Sequence, residues 1–129
     1  MSNSLMARFA LVAALLIAVA PAIHAQDDPA VVHAKQVLAH LEEKRFEEVA
    51  KEFTPEMTAA MPVDRLSEVW AQVREQVGAF GTFIDTEIKQ QDAITAARLG
   101  CRFDKAEVNV IVTFDADKKI AGLRIMPRQ

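Results

Sequence analysis

The apolar residues of this chain change their period once, at Gly78, and that change decides which class of fold is open to it. Upstream they recur at helical spacing. Val31, Ala34, Leu38 and Leu41 form one stripe, Phe46, Val49, Ala50 and Phe53 a second, and Leu66, Val69, Trp70, Val73 and Val77 a third. Downstream the residues alternate. Thr82, Ile84, Thr86 and Ile88 alternate with Gly81, Phe83, Asp85 and Glu87, and Ala97, Leu99, Cys101 and Phe103 lie opposite Arg98 and Arg102. Val108, Val110, Val112 and Phe114 then line a third strand, and Ile120 to Met126 supplies a fourth. A 3.6-residue period lines one stripe of a helix and a two-residue period lines one face of a strand. The expectation is an α+β domain with N-terminal helices packed on one side of an antiparallel four-stranded sheet.

The punctuation agrees with these periods. Asp28-Pro29 and Thr54-Pro55 each pair a capping side chain with a first-turn proline, and Pro62 closes the short helix that Thr54 opens. Gly78 is read as a left-handed terminator of the long helix, and Asp115 to Lys118 as a hairpin turn. On the second helix, Glu47, Glu48, Lys51 and Glu52 occupy the face opposite the apolar stripe.

Residues 1–25 read differently from the rest. One cation, Arg8, precedes an uncharged run from Phe9 to Ala20, which breaks at Pro21 and ends in Ala22-Ile23-His24-Ala25. This is the pattern of a secretory signal, with cleavage expected between Ala25 and Gln26. The run is shorter than the roughly 18 apolar residues a membrane span needs. The expected product is one exported domain, periplasmic or secreted, spanning 26–129, with no stable membrane span after processing. Removing 25 of the 129 residues leaves 104, enough for one hydrophobic core.

Of the 15 Lys and Arg residues only Arg8 falls in the signal, so 14 cations face 18 Asp and Glu in the exported part. This acidic balance argues against nucleic acid and anionic membrane as partners, since both require clustered positive charge. The single cysteine, Cys101, cannot form an internal disulfide, and it sits in an apolar row.

Two stretches carry a family resemblance. One runs from Phe53-Thr54-Pro55-Glu56-Met57 through Met61-Pro62, Leu66, Val69-Trp70, Gln72 and Gln76 to Gly78-Ala79-Phe80-Gly81. The other is Val110-Ile111-Val112-Thr113-Phe114-Asp115-Ala116-Asp117 with Ile120-Ala121-Gly122-Leu123. Together they resemble the domain of unknown function 3887 family, whose members look like the nuclear-transport-factor-2-like superfamily. The resemblance implies a curved sheet wrapped by helices around a cone-like cavity. In that family the domain often precedes an α/β-hydrolase domain, but no G-x-S-x-G elbow occurs in this sequence, so the resemblance brings no hydrolase chemistry.

Candidate ligand-binding residues are Trp70, Phe80, Cys101 and Phe114, which belong either to a pocket or to the core continuous with it. No catalytic residue, metal site or cofactor is assigned. There is no tyrosine, and His33 and His40, seven apart on the first helix, are read as solvated helix-edge residues with the wrong spacing for a zinc pair. Asp85 and Glu87 are read as solvent-side charges. Arg98, Arg102 and Arg124 are either an anion-binding strip or a surface paired with Asp and Glu. The leading expectation is a non-catalytic domain that binds a small apolar molecule or a protein partner, a second copy of itself included. The alternatives are a cavity enzyme or hydrolase-accessory factor using an acidic residue, and a structural dimerisation domain.

Overall fold

A computed structural model describes residues 28–128, so the signal and its Ala25–Gln26 junction lie outside the described residues. Four helices precede four strands: α1 (Pro29–Glu42), α2 (Phe46–Ala50), α3 (Pro55–Ala60), α4 (Val63–Val77), β1 (Phe80–Gln91), β2 (Ile94–Phe103), β3 (Glu107–Phe114) and β4 (Ile120–Pro127). The strands form one antiparallel meander in the order β1-β2-β3-β4. Among the described residues no helix is long and apolar enough to cross a membrane.

Local chemistry sets the helix starts. The Asp28 carboxylate accepts from the Ala30 amide at 2.9 Å, and the Thr54 hydroxyl accepts from the Met57 amide at 3.1 Å, so each cap satisfies a first-turn donor. Gly78 ends α4 at φ 81° and ψ −161°. The ψ value corrects the left-handed reading: this is the mirror image of extended backbone, a region essentially confined to glycine.

The sheet buries one face. Ala97, Leu99 and Cys101 from β2 and Val110 and Val112 from β3 are fully buried beneath α1, whose Val31, Ala34 and Leu38 meet them at no more than 3% exposure. No water-sized void adjoins side chains this inaccessible, so the space between α1 and the sheet is filled.

Among the helices, α1 covers the strands, while α4 packs chiefly on α2. One expectation about direction is corrected. The alternation of β1 is broken twice, because Phe80 and Thr82 pair with the adjacent Phe103 and Arg102, and Phe83 and Asp85 with the adjacent Cys101 and Gly100. Gly81 and Ile84 are the extra residues. Each such bulge shifts the pleat by one position, turning Phe83 toward the core and leaving Ile84 36% exposed.

The free edge of β4 is partly covered at its start. Phe53 forms a parallel bridge with Ile120, the Thr54 amide donates to the Ile120 carbonyl at 3.0 Å, and the Ile120 amide donates to the Glu52 carbonyl at 2.7 Å.

Candidate functional site

That edge contact brings Glu52 beneath α1. The second helix stops at Ala50, so Glu52 leaves the solvent face assigned to it and hangs from the bridge to β4. Its carboxylate accepts a hydrogen bond from His33 Nε2 at 2.5 Å. A carboxylate only accepts, so Nε2 carries the proton and Nδ1 is the ring atom left for other partners. The His33 ring also stacks on Phe114, with centroids 4.4 Å apart and planes 20° apart. Its side chain is 24% exposed, not the solvated helix-edge residue expected from the sequence, because the bridge to β4 supplies a partner from 19 residues away.

His33 and Phe114 border a cleft of about 430 Å³ where the N-terminus of α1 crosses the strand ends. Pro29, Ala30 and Ile88 give it apolar walls, and Gln90, Thr95 and Lys118 give it polar rims. It can hold a molecule with an apolar body and a hydrogen-bonding end.

The four candidate residues do not converge. Phe114 lies at this cleft, Trp70 lines a groove between α2 and α4, and Phe80 lines a recess between α1 and β1 where the Lys35 ammonium sits 4.6 Å from the Phe83 ring centroid. Cys101 is fully buried, with its S–H directed to the Leu99 carbonyl at 3.4 Å. Burial pushes its thiol up to about 11, which leaves almost no thiolate at neutral pH to act as a nucleophile.

The outer sheet face carries charge in matched pairs. Asp85 accepts from Arg98 at 2.9 Å and from Arg128 at 3.1 and 3.2 Å, and both guanidinium groups also donate to the Asn109 carbonyl oxygen, at 3.1 and 2.9 Å. Arg102 is held by Glu107 at 3.0 Å, and Arg124 contacts the Met126 sulfur. Arg98 and Arg102 are thus neutralised by neighbours, which is the paired surface and not an anion strip. Gly100 makes room for the cluster, since a β-carbon there would stand 2.3 Å from Asp85 Oδ1 and 2.4 Å from Arg128 Nη1.

Hydrogen bonds from Arg128 and then Arg98 hold Asp85 below its ordinary 3.8. A lowered folded value means that the stabilisation is complete above the unfolded value and is lost as pH falls through the folded one. The expected result is that Asp85→Asn lowers the melting temperature at pH 7, and that the two proteins' melting curves converge as pH drops below about 3.8. A constant difference between them at all pH values would remove this role from Asp85.

A family model described as "Protein of unknown function (DUF3887)" matches residues 34–123. Esterase EstD of Thermotoga maritima is 27% identical over 84 residues, which make up 65% of this chain and 20% of that protein. The chain therefore corresponds to a fifth of that relative's length. No solved structure matches significantly.

Proposed function

The chain belongs to the DUF3887 family, and from that premise we propose that it is a small exported binding domain without chemistry of its own, its site the cleft at His33 and Phe114. The ligand is a small, mainly apolar molecule with one polar end. The observation that carries this reading is the cleft itself, where apolar walls from α1 and β1 meet a His33 ring fixed by Glu52. Export rests on the signal pattern of residues 1–25, and the helix-on-sheet arrangement supports membership in the nuclear-transport-factor-2-like superfamily. The match to one fifth of Esterase EstD supports an accessory role for the shared segment, because the elbow that carries an esterase nucleophile is not in this sequence.

Native mass spectrometry of the protein secreted from its full-length gene tests this reading. The expected species begins at Gln26 and carries extra mass, and Ile88→Lys, which places a charge in the apolar wall, abolishes the extra mass while leaving the circular dichroism spectrum unchanged. A bare chain, or extra mass retained by Ile88→Lys, overturns the cleft reading.

The His33–Glu52 pair favours one rival. A carboxylate that orients an imidazole is the arrangement of a general base, so a cavity enzyme using Glu52 as its unforeseen acidic residue is the second reading. Turnover of a ligand recovered from the cleft, abolished by His33→Gln, would replace the binding reading with this one.

A further inference from the structure

The polar side chains around the His33 cleft are mainly acceptors. Asp28, Asp115 and Lys118 line it, so two carboxylates face one ammonium. Each carboxylate keeps one oxygen free among the described residues. Asp28 uses Oδ1 on the Ala30 amide, and Asp115 uses Oδ1 on the Asp117 and Lys119 amides. Among the described residues neither carboxylate forms an ion pair.

His33 adds a further acceptor. Its ring is fixed twice, by the Glu52 carboxylate at Nε2 and by the face of Phe114. With the proton on Nε2, the neutral ring offers a lone pair at Nδ1. That nitrogen has no partner among the described residues and, unlike Nδ1 of His40, is not buried, so it is accessible where His33 borders the cleft. The start of α1 would draw an anion if its amides were free. They are not. Pro29 has no N–H, Asp28 Oδ1 takes the Ala30 amide, and the Asp28 carbonyl takes the Val32 amide. Of the first-turn amides that leaves Val31, a residue only 3% exposed.

We propose, on the reading of this cleft as the binding site, that its ligand is a primary amine, an apolar body carrying one ammonium group. An ammonium has three hydrogens to donate and no lone pair, so it suits a rim of acceptors. Its charge opposes the excess of carboxylate, and hydrogen bonds between the two are of the shorter, charge-assisted kind. The apolar body lies against Pro29 and Ile88. A carboxylic acid in its place would bring a third negative charge beside Asp28 and Asp115, with Lys118 alone to receive it.

Phenylethylamine, 2-phenylethanol and phenylacetate share an aryl body and differ in the head group. Each is titrated into the secreted protein and followed by the backbone amide NMR signals. The amine is expected to shift signals of the cleft, those of Ala30, His33 and Thr95 among them, with a Kd of about 0.1–1 mM for a ligand this small. The alcohol should bind about tenfold more weakly, and the acid more weakly still. Asp28→Asn combined with Asp115→Asn removes both charges and keeps an oxygen at the cap and at the turn, since asparagine caps a helix as well as aspartate does. This double variant should retain the parent's circular dichroism spectrum and prefer the amine to the alcohol by less than about twofold. An alcohol or acid that binds the cleft more tightly than the amine, or a tenfold amine preference that survives in the double variant, overturns the assignment of an amine and leaves the cleft reading standing. Shifts confined to residues outside the cleft, or no saturation by any of the probes up to about 10 mM, overturn both.

Discussion

Trp70→Ala is expected to lower the unfolding free energy by about 3–5 kcal/mol, the range for truncating a large buried aromatic. Trp70 is 3% exposed and joins Leu66 and Val77 as the buried residues of α4, so it is the largest side chain attaching that helix to the core. A domain of this size has a net stability of about 5–15 kcal/mol, so the substitution removes a large part of it. The corresponding drop in melting temperature is roughly 12–40 °C. Because the only tryptophan is lost, far-ultraviolet circular dichroism in denaturant is the measurement to use. Trp70→Phe should cost far less, since it keeps most of the apolar contact and deletes the unpaired N–H. A Trp70→Ala protein within 1 kcal/mol of its parent would mean that α4 is held by something other than this ring.

The parts of the fold that local periodicity encodes were legible in the sequence. The caps at Asp28 and Thr54, the four strands and the burial of the Ala97, Leu99, Cys101, Phe103 row all follow from which neighbours share a face. What was not legible depends on partners remote in sequence. The period of β1 marks it as a strand, but its pairing with β2 across bulges at Gly81 and Ile84 decides that Phe83, not Ile84, turns inward. Periodicity likewise shows that Trp70 is on an apolar stripe without showing that the stripe meets α2. The cleft was the hardest element to foresee. Glu52 sits in a run of charges that reads as a solvated helix face, and only the bridge between Phe53 and Ile120 carries it to His33. The Asp85 cluster is similar, with Arg128 reaching back 43 residues from the C-terminal end. The one local signal for it was the alternation that placed Asp85, Glu87, Arg98 and Arg102 on polar faces.

At Gly78, where the period changes, alanine is expected to cost about 2–5 kcal/mol, from backbone strain and overpacking together. At φ 81° and ψ −161° a β-carbon meets its own backbone, and it would also stand 2.8 Å from Asp104 Cβ. Asp104 cannot simply swing aside. Its amide donates to the Ala79 carbonyl at 3.0 Å and the Lys105 amide donates to the Val77 carbonyl at 2.9 Å, so the β2–β3 turn is docked on the end of α4. The ψ value makes the test specific. If the position required left-handed helical backbone, asparagine would be tolerated nearly as well as glycine. In the mirror-extended region it should be as damaging as alanine. Adding Asp104→Gly to Gly78→Ala removes the collision and leaves the strain, so this pair separates the two contributions in denaturant melts. Recovery of full stability by Gly78→Asn would show that the helix ends in a left-handed residue after all, and would leave the docking of the β2–β3 turn without its glycine requirement.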